Sequence, residues 1–164
     1  MAKSIYNSQD LIDSRDVIKR IEELEEDREN LQFAIDEAQE ALETADVDKD
    51  DERPDSPYAN LRKAVEDAIY NLESWDDSDD ADELTALKNL AEDAGSSPGW
   101  NYGETLIRDS YFEEYAEQLA TDICDMGKAE GWPFRHIDWE AAAKELKQDY
   151  FTVDFDGEDY WILA

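Results

Sequence analysis

The stretch Ser14 to Ala45, SRDVIKRIEELEEDRENLQFAIDEAQEALETA, most constrains the fold, because its 32 residues contain neither glycine nor proline. Val17, Ile21, Leu24, Arg28, Leu31, Ile35, Ala38, Leu42 and Ala45 succeed one another at alternating steps of four and three. That spacing predicts a helix over residues 14–45 with a coiled-coil seam, interrupted only at Arg28. With Ile21 at heptad position a, the outward positions b, c and f hold Glu22, Glu23, Glu26, Glu29, Asp36, Glu37, Glu40 and Glu43. At about 1.5 Å per residue the helix is about 48 Å of negatively charged rod. Phe33 is the apolar exception at an f position, and a candidate anchor for a partner.

Asp46 to Pro57, DVDKDDERPDSP, holds two prolines and six acids, and reads as a solvated linker. A second helix is expected over about 58–75, with Tyr58, Leu61, Val65, Ala68, Leu72 and Trp75 as its seam, and a third over about 81–94, with Leu84, Leu87, Ala91 and Ala94 on one face and Gly95 as its stop. These two helices, 18 and 14 residues long, together match the 32 of the first. A returning arm of that length can cover the seam within one chain, so an antiparallel helical hairpin over residues 1–95 is favoured over pairing with another molecule.

Ser96 to Gly99, SSPG, marks the expected boundary, and residues 100–164 form the second expected domain. Aromatics are dense there. Ser110 and Glu113 have the spacing of a capping box for a helix running to about Met126, with Phe112, Leu119, Ile123 and Met126 inward and Gly127 past its end. A short helix follows from Asp138 to about Gln148. The end, DYFTVDFDGEDYWIL, reads as a β-hairpin turning at Asp156-Gly157 in a type I′ turn, with Trp161 and Leu163 on the returning strand. The fold class is therefore α+β, mostly α.

Charge sets the function classes. The chain has 46 acids against 15 bases, a formal net charge of −31. Solubility asks for a magnitude of about 2–8 in a small domain. Eighteen aromatic residues and a sustained heptad pattern argue for a folded core in spite of that charge. Residues 1–99 carry 30 acids and 10 bases, residues 100–164 carry 16 and 5, so both halves repel nucleic acid and anionic lipid. Basic surfaces are the expected partners. No run approaches the ~18 apolar residues of a membrane span, and MAKSIYNSQD has no apolar run of the signal-peptide type. The single cysteine, Cys124, suits a reducing compartment, and a cytoplasmic location is expected.

Candidate chemistry is sparse. His136 is the one histidine, so a His-based metal site is excluded and no nucleophile relay is complete. Cys124, between Ile123 and Met126 and flanked by Asp122 and Asp125, reads as an inert thiol. Asp46, Asp48 and Asp50 begin like a calcium loop, but Asp51 stands where the loop needs glycine and Pro57 where it needs a bidentate glutamate. Neither GxxxxGK nor GxGxxG occurs. No catalytic residue, cofactor or metal is expected. What does stand out is the total: at one charge per about 1.7 Å, 31 charges equal those of about 53 Å of B-DNA, close to the length of the long helix.

TLIRDSYFEEYAEQLATDICDMG followed by HIDWEAAAKELKQDYFTVDFDGEDYWI, within residues 104–163, resembles the C-terminal module of the ArdA-type antirestriction proteins. Ile137, Asp138, Trp139, Glu140, Ala141 and Leu146, with the terminal hairpin after them, carry the likeness. The resemblance implies a DNA mimic of phages and mobile elements, elongated and often dimeric, that blocks type I restriction–modification enzymes by filling their DNA channel. The helical half departs from that family, which opens other DNA-targeting defence systems, such as a CRISPR effector, as targets. Two rival expectations share the composition: an acidic coiled-coil adaptor or structural protein, and a chaperone for a basic protein.

Overall fold

The computed structural model of the chain describes residues 3–50, 53–123 and 134–164. Within them lie five α-helices and one four-stranded antiparallel sheet, an α+β arrangement that is mostly helical. The chain divides into two compact units, Ile21–Thr85, and Ala2–Arg20 with Ala86–Ala164.

The first unit holds the first two helices of the expected hairpin. Helix α1 (Ser14–Thr44) enters it from the second unit, and α2 (Pro57–Asp76) returns. Ser56 caps α2: its Oγ accepts from the Ala59 N–H at 3.1 Å while its own backbone stays extended. Pro57, expected in the linker, instead occupies the first turn, where its fixed φ suits a helix and its missing N–H costs nothing. On α1, Leu24 and Ile35 are buried and Ile21, Leu31, Ala38 and Leu42 half-buried. All six seam residues of α2 are half-buried as well. Arg28 meets an acid at the edge of the seam, its Nε donating to Asp76 Oδ1 at 2.8 Å and its Nη2 to Oδ2 at 3.3 Å. The bond joins the N-terminal half of α1 to the last residue of α2, as antiparallel helices require. Helix α3 (Asp79–Ala94) begins in this unit, where it buries Leu84, and ends in the second, where Leu87, Leu90 and Ala94 are buried. Gly95 follows its last residue without the left-handed φ of a terminating glycine; the chain instead turns on a bond from the Ser97 N–H to the Ala94 carbonyl at 3.0 Å.

In the second unit the terminal hairpin, β3 (Tyr150–Phe155) and β4 (Glu158–Leu163), turns at Asp156 (φ 51°) and Gly157 (φ 83°), as expected for type I′. Two strands not foreseen extend it: β1 (Leu11–Asp13) and β2 (Thr105–Arg108), in the order β1-β2-β4-β3. The register places Ile12 opposite Leu106, Arg108 opposite Tyr160, and Tyr160 opposite Val153. Alternation then gives one face Ile12, Leu106, Val153, Phe155, Tyr160 and Ile162, all buried. The inward residues of β4 are thus Tyr160 and Ile162; Leu163 is exposed. The opposite face offers Ile107, Tyr150 and Trp161 to α4 (Phe112–Ile123) and α5 (Trp139–Leu146), closing a cluster around Phe112 and Ala116. Asp138 caps α5 through the Ala141 N–H at 3.0 Å.

Several expectations are corrected here. Ser14 Oγ donates to the Trp100 carbonyl at 2.6 Å and Ser97 Oγ to the Leu163 carbonyl at 2.9 Å, so the SSPG stretch lies inside the second unit instead of dividing 1–95 from 100–164. β1 needs β2 as partner, which draws the N-terminus into that unit. Ile123, expected inward, is exposed: α5 has 8 residues against the 12 of α4, so it spans fewer turns than α4 has. In place of the Ser110 capping box, residues Asp109–Tyr111 form a 3₁₀ turn leading into α4. Cys124, Met126 and Gly127 lie outside the described residues.

Candidate partner-binding face

Because a helix repeats every 3.6 residues, burying the α1 seam turns positions b, c and f outward. Glu22, Glu26, Glu29, Asp36, Glu37, Glu40 and Glu43 are exposed, and Glu23 is half-buried. All eight expected carboxylates thus share the side away from the seam. Among the described residues no base pairs with Glu22, Glu26, Glu29, Glu37, Glu40 or Glu43, and Asp36 accepts only from the Gln32 side-chain amide at 3.3 Å. Glu23 apart, the face is negative charge that no base offsets among the described residues.

Its surroundings add to the charge. The first unit, Ile21–Thr85, has 25 acids and 5 bases, a net of −20, and the second carries the remaining −11 over more residues. Of the five bases, Arg28 is held by Asp76 and Arg62 by Glu66 at 3.3 Å. Glu66, Asp67 and Glu73 on α2 are exposed too. Phe33 stands at 67% exposure in the middle of the α1 face, one turn from both Glu29 and Glu37. Tyr70 on α2, at 68%, is its counterpart and went unnoticed in the sequence. The signal was there, since Tyr70 falls outside the α2 seam.

Elsewhere the titratable groups make structure. Asp109 Oδ1 accepts from Lys147 Nζ at 2.6 Å and from Trp161 Nε1 at 2.7 Å, while the ammonium lies 4.6 Å from the Trp161 ring centroid and 5.0 Å from that of Phe112. The Lys147 bond, then the Trp161 bond, hold the Asp109 carboxyl below its usual range. Arg15 does the same to Asp13. Desolvation pushes the Tyr160 phenol up to about 12 and raises Tyr150 also. Neither displaced carboxyl is shifted toward the protonated form that a general acid needs near neutral pH. His136 is exposed and accepts from Arg135 Nε at 3.3 Å. Asp46, Asp48 and Asp50 are exposed on the loop after α1, with the Asp50 N–H bound to Asp48 Oδ1, and no group of three or more metal-ligating side chains occurs among the described residues. No helix among those residues is long and apolar enough to cross a membrane.

The chain matches no protein-family model, no curated protein and no solved structure.

Proposed function

We propose that the protein is a non-enzymatic DNA mimic that occupies the DNA-binding surface of a host restriction or other DNA-targeting defence complex in the cytoplasm. One observation carries the reading: six carboxylates on the outward face of α1 have no basic partner among the described residues, on a unit of net charge −20. A rigid helix holding acids in a row presents what a DNA-binding cleft is built to neutralise. The resemblance of residues 104–163 to the ArdA-type module points to the same partner class. The adaptor reading is less favoured, because an adaptor needs its seam for another chain and this seam, Arg28 apart, is already buried or half-buried within one chain.

The test is charge reversal. Glu22, Glu26, Glu29, Asp36, Glu40 and Glu43 are changed together to Lys, and binding to a purified type I restriction–modification enzyme and to a CRISPR effector is measured against salt and against competing duplex DNA. The parent chain should bind one of them, with affinity falling steeply as salt rises and with DNA as competitor, and the variant should not bind. A helical variant that still binds with the parent's affinity and salt slope refutes the assignment of the face. A parent that binds only basic proteins without a DNA cleft favours the chaperone reading instead.

A further inference from the structure

Phe33 and Tyr70 occupy the same place on their two helices. With Tyr58 at position a of α2, Tyr70 falls at f, as Phe33 does on α1, so each ring points away from its own seam. Their exposures agree, at 67% and 68%. The f positions one heptad to either side are charged in both cases, Glu26 and Glu40 on α1, Lys63 and the C-cap Asp77 on α2. Each ring also has three exposed acids one turn away: Glu29, Asp36 and Glu37 around Phe33, and Glu66, Asp67 and Glu73 around Tyr70. Of these six, among the described residues, only Glu66 meets a base, Arg62 at 3.3 Å. Phe33 stands five residues past Arg28 and Tyr70 six before Asp76, the pair that joins the helices, so the rings lie near one level on opposite arms.

Neither ring serves the fold. Phe and Tyr are poorer helix formers than Glu, Lys or Ala, and a ring left in water returns little of its burial energy. A single exposed apolar residue needs no cause, but here one setting recurs on both arms. A basic partner supplies a cause. The face of an aromatic ring carries partial negative charge and attracts a guanidinium within about 6 Å of its centroid. Being planar with donors along its edge, a guanidinium can lie on the ring while donating to a carboxylate one turn along the helix; the compact lysine ammonium does not combine the two. We infer that Phe33 and Tyr70, each with its three acids, are two docking points for arginine side chains of a basic protein. The inference rests on the reading of the outward α1 face as a partner-binding surface and extends that surface to α2. The acids set the salt dependence, and the rings select arginine over lysine.

Two peptides of equal length, one of arginine and one of lysine, separate this from charge alone. Phe33→Leu with Tyr70→Leu keeps all six acids and an apolar side chain at each site, and removes only the ring faces; leucine is the better helix former, so circular dichroism should show the helices intact. Each peptide is titrated into the full chain at low salt and followed by the backbone amide NMR signals of residues 29–37 and 66–73. The double variant should bind the arginine peptide about 2- to 5-fold more weakly at each arm, the equivalent of about 0.5–1 kcal/mol for an exposed cation–π contact, and the lysine peptide within about 2-fold of the parent. Each single variant should show the loss on its own arm alone. Tyr102, more exposed still at 84% but set in a 3₁₀ turn (Trp100–Tyr102), is the control, and Tyr102→Leu should change neither titration. A folded double variant that binds arginine like the parent, or that loses both peptides equally, would overturn the inference and leave the acidic face as a partner surface. A parent that binds neither peptide would overturn the inference and that reading of the face together.

Discussion

Arg28 is the one base in an apolar seam, and Arg28→Leu measures what that interruption is worth. The Arg28–Asp76 pair is well formed, but both side chains are nearly half exposed, at 47% and 43%. Exposed pairs contribute about 0.2–1 kcal/mol, and Asp76 set free remains in water without a burial penalty. Leucine would extend the run from Leu24 to Leu31, and burying about half of its side chain contributes about 1 kcal/mol. Losing one of five bases deepens the unit's charge by one, a small change where salt screens it. The sum is a variant between equally stable and about 1 kcal/mol more stable than the parent. Urea unfolding followed by helical circular dichroism reads this as a midpoint that is unchanged or higher at constant slope. A double-mutant cycle with Asp76→Ala should give a coupling below about 1 kcal/mol. A loss near 2 kcal/mol, or a larger coupling, would mean that the pair is a specific buried interaction, contrary to its exposure.

Other substitutions separate the two units and the two roles. Phe112→Ala removes a fully buried ring in contact with Tyr115, Tyr150 and Trp161, and should cost about 3–5 kcal/mol in urea unfolding; a loss below 1 kcal/mol would show that the cluster is not a core. Asp109 has a depressed pKa in the folded state, so its contribution is fully present above the ordinary carboxyl range and is lost as pH falls through the folded value. Asp109→Asn should therefore melt below the parent at pH 7, the difference shrinking below about pH 4; a constant difference would rule out a charge-based contribution. Phe33→Ala should leave stability within about 0.5 kcal/mol and, if the ring anchors a partner, weaken target binding without altering its salt slope.

Legibility in the sequence followed element length. The seams of α1 and α2 each repeat over several turns, so residues chosen by spacing alone proved, Arg28 apart, to be buried or half-buried, and seven of the eight acids between them proved exposed, with Glu23 half-buried. β1 and β2 have three and four residues, too few for alternation to register, and each is a strand only because a distant partner supplies its hydrogen bonds. The same distance hid the true extent of the second unit: the N-terminus joins it through pairings some 90 residues apart in sequence, such as Ile12 with Leu106. The face of α3 was read in part, since Leu90 is buried beside the expected Leu87 and Ala94. Exposure of Tyr70 and Ile69 depended on how far α1 covers α2, which periodicity does not state.

The arrangement of acids carries a cost that bears on their use. On α1, Glu22 with Glu26, Glu26 with Glu29, Asp36 with Glu40, Glu37 with Glu40 and Glu40 with Glu43 stand three or four residues apart. Like charges at that spacing oppose helix formation by about 0.2–0.5 kcal/mol each, so these five pairs together withhold about 1–2.5 kcal/mol at low salt. A solvated helix of this length is better served by alternating Glu and Lys, which reverses the sign of every one of those terms at no cost in solubility. The hairpin forms regardless because Leu24 and Ile35 are buried on a seam that the acids never enter. Folding thus tolerates the outward charge without using it, and the destabilisation it brings is what a face shaped for a basic partner would have to bear.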